Sequence, residues 1–171
     1  MTTIVGDTSA LVSLGVVAGE RPDPLAILLE NHSMLVPELV VDELRSVAEH
    51  DDASAVAAQS VLDRYESIAV ETVTLEESFP LDDGENAAVS LANDSGADQL
   101  LCDEFNALAL VHASLSGARL VTTPLVLTSL ARNSRIDASD AARLLDRIGN
   151  ARSWDGNSYV ERARATLDSE S

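Results

Sequence analysis

The chain has 171 residues, 46% of them hydrophobic, with 29 acidic and 11 basic side chains and a formal net charge of −18, which is the length and apolar content of one domain with one core. All eleven basic residues are arginine; with no lysine for a transferred phosphate or a Schiff base, P-loop and pyridoxal-dependent enzymes are excluded. The acidic balance also argues against a membrane-surface or ordinary basic-groove partner, whose attraction needs clustered cations.

In chain order, the first apolar run, Thr3 to Gly6, reads as a strand that ends in Asp7. A second strand is expected at Ser33 to Val36, and Pro37 fits the first position of a helix over ELVVDELRSVAEH. Asp51 or Asp52 caps an Ala-rich run through Tyr65, and a third strand covers Ile68 to Val70, with an extension toward Val73. After Pro80, Asp82 or Asp83 starts a helix that Gly96 stops. The fourth strand, Gln99 to Cys102, runs into Asp103. A helix then carries Phe105, Leu108, Val111, His112 and Leu115 on one face as far as Gly117. His112 on that stripe reads as a buried or boundary side chain. Arg119 to Val121 is the fifth strand, and Pro124 fits the first turn of a helix through Arg132. Asp137 caps a helix whose Leu144, Leu145 and Ile148 form a stripe closed by Gly149. Asn150 to Ser158 is turn-like, with a final short helix from Tyr159 to Leu167, where Trp154 and Tyr159 either anchor that helix or face a partner.

Short Val, Ile and Leu runs alternating with segments of helical period give an α/β class, a central parallel sheet of about five strands flanked by helices. No linker or repeat interrupts the chain, so residues 1–149 are expected to form the main body and residues 150–171 a turn and short helix of the same domain. A single cysteine, Cys102, excludes an intramolecular disulfide and a cysteine-rich zinc site, and it is expected to be a small core residue in a reducing compartment. The start lacks a basic, apolar leader, and no run of about 18 uncharged apolar residues occurs, so a cytoplasmic protein without membrane association is expected. Abundant carboxylate, no lysine and 3% aromatic residues fit a salt-loving cytoplasm such as that of a halophilic archaeon.

The chemistry is in the carboxylates. Asp7 and Asp103 each follow a strand, and in a parallel sheet ligands bind outside the carboxyl ends of strands where the winding reverses. Each also reads as a helix N-cap. Glu43 lies early in the helix after Pro37, where the alternative is a solvated residue. Glu85 stands three residues after Asp82, the spacing of a capping box. Brought together, four such acids would repel and raise one another's pKa unless a cation sat among them. An oxygen-only set of this kind suits Mg²⁺ or Mn²⁺ and phosphodiester chemistry.

Four motifs in order resemble the PIN-domain family of metal-dependent nucleases, which includes many toxins of toxin–antitoxin pairs. They are IVGDTSALVSL with Asp7 and Ser9, VPELVVDELRSV with Glu43, LDDGENAAVSLA with Glu85, and GADQLLCDEFNALAL with Asp103 and Glu104. The similarity extends through GARLVTTPLVLTSLARNSRI, so it spans Thr2 to Ile148. It implies a PIN-like three-layer sandwich and a metal-dependent ribonuclease in which Asp7, Glu43, Glu85 and Asp103 hold Mg²⁺ or Mn²⁺. Ser9, Glu104, Thr122 and Thr123 would be accessory or phosphate contacts. The implied partners are an RNA substrate, an antitoxin protein and a second copy in a homodimer. One departure matters: Phe105, Asn106, Ala107 and Leu108 stand where this branch often carries basic residues. That leaves Arg45, Arg132 and Arg135 as the nearest cations for substrate, and it favours an alternative reading as a catalytically weakened RNA- or protein-binding module.

Overall fold

The computed structural model describes residues 1–170. Five strands, β1 (Thr3–Gly6), β2 (Ser33–Pro37), β3 (Ala69–Glu71), β4 (Gln99–Leu101) and β5 (Arg119–Val121), form one sheet. Its order is β3-β2-β1-β4-β5, and every pairing is parallel. Parallel neighbours need crossover helices, which bury both faces of the sheet. Alternation along the strands shows this: Ile4 and Leu101 join one apolar cluster, while Val5 and Leu100 join the other.

The first face carries α1 (Thr8–Val16), α3 (Glu38–Ala48), α4 (Ala53–Leu62), α7 (Thr123–Arg132), α8 (Ala138–Arg152) and α9 (Ser158–Glu170). The second carries α5 (Asp83–Ser95) and α6 (Leu108–Ser114), and α2 (Pro24–Asn31) packs beside β2. The result is the expected three-layer α/β sandwich. Helix α9 packs on α7 and α8, burying Val160, Ala163 and Leu167 in the larger cluster. Among the described residues, no helix is long and apolar enough to cross a membrane.

Several elements differ in detail from the reading of the sequence. Helix α2 was not anticipated, and α1 only through the reading of Asp7 as a helix N-cap, a position Asp7 takes without a side-chain capping bond. Pro37 ends β2 and is the N-cap of α3 rather than its first helical residue. The Ala-rich helix stops at Leu62, and a 3₁₀ turn, Tyr65–Ser67, follows it. The helix after β4 starts only at Leu108, because the Phe105 and Ala107 amides bond back to the Asp103 and Glu104 carbonyls and close a turn. That turn removes Phe105 from the helix, and His112 is exposed rather than buried. Gly149 does not end α8: the helix continues to Arg152, and Ser153 takes the left-handed cap at φ 58°. Asp82 is the cap of α5, and Gly96 stops it in the left-handed region at φ 65°.

Candidate active site

The winding reverses at β1. The chain moves outward from β1 to β2 and β3, and the α5 crossover then brings it back to β4 on the other side of β1. Asp7 and Asp103 therefore follow neighbouring strands, and the Asp7 amide extends the ladder by donating to Leu101 O at 2.9 Å. Outside these strand ends lies a crevice of about 240 Å³ whose walls include Asp7, Glu43, Asp82, Glu85 and Glu104. Arg152 is the one arginine among the described residues lining it.

Asp7 is 4% exposed. Its Oδ2 accepts from Ser9 Oγ at 2.9 Å and from Cys102 Sγ at 3.4 Å. Burial raises its pKa to about 6 against these stabilising hydrogen bonds. Burial and the Asp7 charge likewise push the Cys102 thiol well above its ordinary range, so Cys102 is a neutral donor within the core. Ser9 Oγ also accepts from the Asp103 amide at 2.9 Å, so one hydroxyl links the ends of β1 and β4.

Glu43 reaches the crevice from α3, whose Val40, Val41 and Leu44 are buried beneath it. Thr8 Oγ1 donates to Glu43 Oε1 at 2.8 Å and fixes its direction. Burial raises the Glu43 carboxyl, and the charges of Asp82, Glu104 and Asp83 add to that rise while the Thr8 bond opposes it. Glu85 enters from the first turn of α5. The Glu85 amide donates to Asp82 Oδ1 at 2.8 Å, which is the capping half of the Asp82–Glu85 pattern. The Glu85 carboxyl nevertheless lines the crevice and is raised to about 7 by burial, then by the charge and carboxyl contact of Asp82 and by Glu104 and Asp7. Asn86 steadies this corner. Its side chain takes Glu76 N at 3.0 Å and gives to Glu76 O at 2.8 Å, tying the preceding loop to α5.

Of the residues expected at the site, Asp7, Ser9, Glu43, Glu85 and Glu104 line this one crevice, whereas Asp103, Thr122 and Thr123 do not. Asp103 lies 5% exposed, with Oδ1 accepting from Thr123 N at 2.7 Å. Its Oδ2 is buried and has no partner among the described residues. Burial raises its pKa too, against the Thr123 amide bond, the nearby Thr123 and Ser13 hydroxyls and the charge of Arg152. Thr122 caps α7 by accepting from Leu125 N. The anticipated cations are elsewhere engaged or absent from the crevice: Arg45 pairs with Asp42 and Arg132 with Glu170.

Arg152 was not anticipated, because residues 150–158 read as a turn. Its Nη2 lies 3.5 Å from Ser9 O, and its Nε is buried without a partner among the described residues. Gly84 is the second unanticipated part. A Cβ placed there would collide with the Glu43 carboxylate, lying 2.8 Å from its Cδ. The glycine just before Glu85 lets the α3 and α5 acids share one space. We therefore expect Gly84→Ala to leave the melting temperature within about 3 °C of the parent, because Glu43 can swing aside. It should reduce turnover about tenfold or more, as loss of a supporting contact to a site ligand does; wild-type turnover would show that Glu43 need not sit there.

The donor chemistry fits a hard divalent cation: the crevice acids offer only oxygen, several are held with raised pKa, and one buried Asp103 oxygen lacks a partner. Among the described residues, no three His, Cys, Asp or Glu side chains are gathered closely enough to hold an ion.

The class that these features define is a doubly wound parallel α/β sandwich with an acid-lined crevice at its topological switch point. The family DUF3368, described as a PIN domain, matches residues 3–169, and the chain belongs to it. PIN domains are usually nucleases and generally use divalent metal ions. No curated protein matches the chain.

Proposed function

We propose that this chain is a Mg²⁺- or Mn²⁺-dependent endoribonuclease. The observation that carries the reading is the crevice in which Asp7, Glu43, Glu85 and Glu104 meet at the switch point with a single arginine beside them. Asp7, Glu43 and Glu85 would hold the cation, with Asp103 offering its unpartnered Oδ2 from below. When bound, such an ion neutralises the phosphate and brings the ionisation of water toward neutral pH.

The chain's own residues do the rest. Thr8 orients Glu43, and Ser9 holds the Asp7 carboxylate and the Asp103 backbone at a fixed spacing. Arg152 lines the crevice beside the acids, with Nη2 on Ser9 O, and would grip a phosphate oxygen of the strand through its guanidinium. Incubating mixed RNA with the parent and with Asp7→Asn, in Mn²⁺ and then in chelator, tests the reading. Cleavage that survives both treatments would overturn it.

Arg152→Gln should raise KM about tenfold with a smaller change in kcat, because a phosphate contact made in ground and transition state alike contributes uniform binding. An unchanged KM would remove Arg152 from the substrate. A second reading, a PIN-fold binding module without turnover, is favoured by the uncharged stretch Phe105 to Leu108. RNA binding by the parent with no cleavage in either ion would support it.

The biological setting we propose is a toxin paired with an antitoxin, dimeric, in a salt-rich cytoplasm. With a net charge of −18, lowering KCl extends electrostatic repulsion from about 3 Å at 1 M to about 10 Å at 0.1 M. The melting temperature should fall as KCl is withdrawn; midpoints equal at 0.1 M and 2 M would refute the salt-rich setting. Light scattering at high salt tests the dimer.

A further inference from the structure

A second cavity, of about 660 Å³, opens beside the β5 edge between α6, α7 and α9. Leu108, Leu120 and Leu125 contribute apolar walls, while Arg132, Arg162 and His112 supply nitrogen donors. No Asp or Glu is among the described residues lining it, although the chain has 29 of them. A cationic, half-apolar cavity on a strongly acidic protein selects an anion with an apolar body, and its volume suits a small ligand.

The rim narrows that class. Tyr159 lines the cavity and is 38% exposed. Phe105, which does not line it, stacks on Tyr159 at 5.4 Å between centroids with 19° between planes. Trp154 in turn packs edge-on against Phe105 at 5.2 Å. A tyrosine braced by Phe105, which Trp154 supports from behind, presents a rigid surface to a flat aromatic group. Arg162 has no ion pair among the described residues, and Arg132 uses Nε on Glu170, which leaves its terminal nitrogens.

Two stretches of chain link the cavity and its rim to the acids that follow β4. Glu104 lines the crevice, and the next residue, Phe105, backs Tyr159. Thr122 lines the cavity, and the amide of the next residue, Thr123, holds Asp103. We propose that this cavity binds a nucleoside monophosphate unit, with its base against Tyr159 and the leucine walls and its phosphate on Arg132 and Arg162. That unit is either a free nucleotide or the nucleotide flanking the scissile bond of a bound strand; the second source rests on the nuclease reading above, and the first does not.

Calorimetric titration of the full chain in chelator, with uridine and adenosine 5′-monophosphate, inorganic phosphate and a single-stranded oligoribonucleotide, tests this. Arg162→Gln and Tyr159→Leu are the variants, and Arg162→Gln alone decides if the other fails to fold. Saturable binding of a mononucleotide, weakened about tenfold by the variants, establishes a free-nucleotide site. Binding of the oligonucleotide alone, weakened to the same degree, assigns the cavity to the strand. Binding that the variants do not change, no binding of either, or phosphate binding as tightly as nucleotide overturns the proposal. Cleavage of RNA by the same parent preparation in Mn²⁺ separates the two readings: binding without cleavage defeats the nuclease, and cleavage without variant-sensitive binding defeats the cavity.

Discussion

Asp7→Asn should abolish RNA cleavage and, in metal-free buffer at pH 7, make the protein more stable than its parent. Asp7 is 4% exposed, and its pKa rises from 3.8 to about 6 through burial. Between about pH 4 and pH 6 the native state therefore holds this proton while the unfolded chain has already lost it, and above about pH 6 it must carry the buried charge. Parent stability falls as pH rises from about 4 to about 6 and then levels off, a loss of about 3 kcal/mol in all. Asn keeps an oxygen for the Ser9 and Cys102 donors and never ionises, so the variant escapes that loss and should melt roughly 6 to 12 °C higher. Added Mg²⁺ should raise the parent's midpoint and move the variant's far less, since a ligand stabilises the state that binds it. Turnover should drop about 100-fold or more, the upper end of what a residue supporting a metal site costs. Melting curves between pH 4 and 8, with and without Mg²⁺, together with a cleavage assay, check both halves. A variant less stable than its parent at pH 7 would show that Asp7 is not held at this cost.

Gly15→Ala should produce the largest stability loss of any single methyl addition to a helix of this protein. Helix α1 crosses α4 at Gly15, and a Cβ there would collide with the Ala57 carbonyl, lying 2.8 Å from its carbon and 3.1 Å from Val61 Cγ2. The obstacle is backbone, so no rotamer change relieves it, in contrast to Gly84, where the obstacle is a side-chain end. Overpacking of this kind costs about 3 kcal/mol or more. The gain in helix propensity returns about 1 kcal/mol, leaving a net loss of roughly 2 kcal/mol or more and a midpoint lower by at least about 4 °C. Gly149→Ala is the control. It too lies within a helix, but its Cβ would meet only Trp154 Cβ at 4.0 Å, so it should stabilise by up to about 1 kcal/mol. Equal effects at the two positions would mean that the α1–α4 contact is looser than the structure shows.

Much of the architecture was legible because the strands are short apolar runs bounded by polar residues, and a parallel sheet leaves few alternatives for joining them. The crevice acids at strand ends followed from the same rule, since Asp7 stands just past the last paired residue of β1. What escaped depended on tertiary contact. Gly149 reads as a helix stop, yet Trp154 N donates to its carbonyl at 3.0 Å and the cap falls at Ser153. One further turn of α8 is what delivers Arg152. Thr8 and Gly84 flank recognisable acids, but their service to Glu43 is visible only when α1, α3 and α5 are side by side. Asp103 and Glu104 are adjacent in sequence, and only the turn after β4 decides which of them faces the crevice.

The crevice draws its walls from residue 7 to residue 152, and this has a consequence in time. A ribosome working at about 5 to 20 residues per second needs roughly 7 to 30 s to travel between them. For the first two thirds of that interval β1 has no β4 to lie against, and until its end Arg152, the one arginine among the described residues lining the crevice, has not been made. The crevice is thus completed only when α8 joins β1 and β4, so on the nuclease reading proposed above a nascent chain gains its site late and all at once.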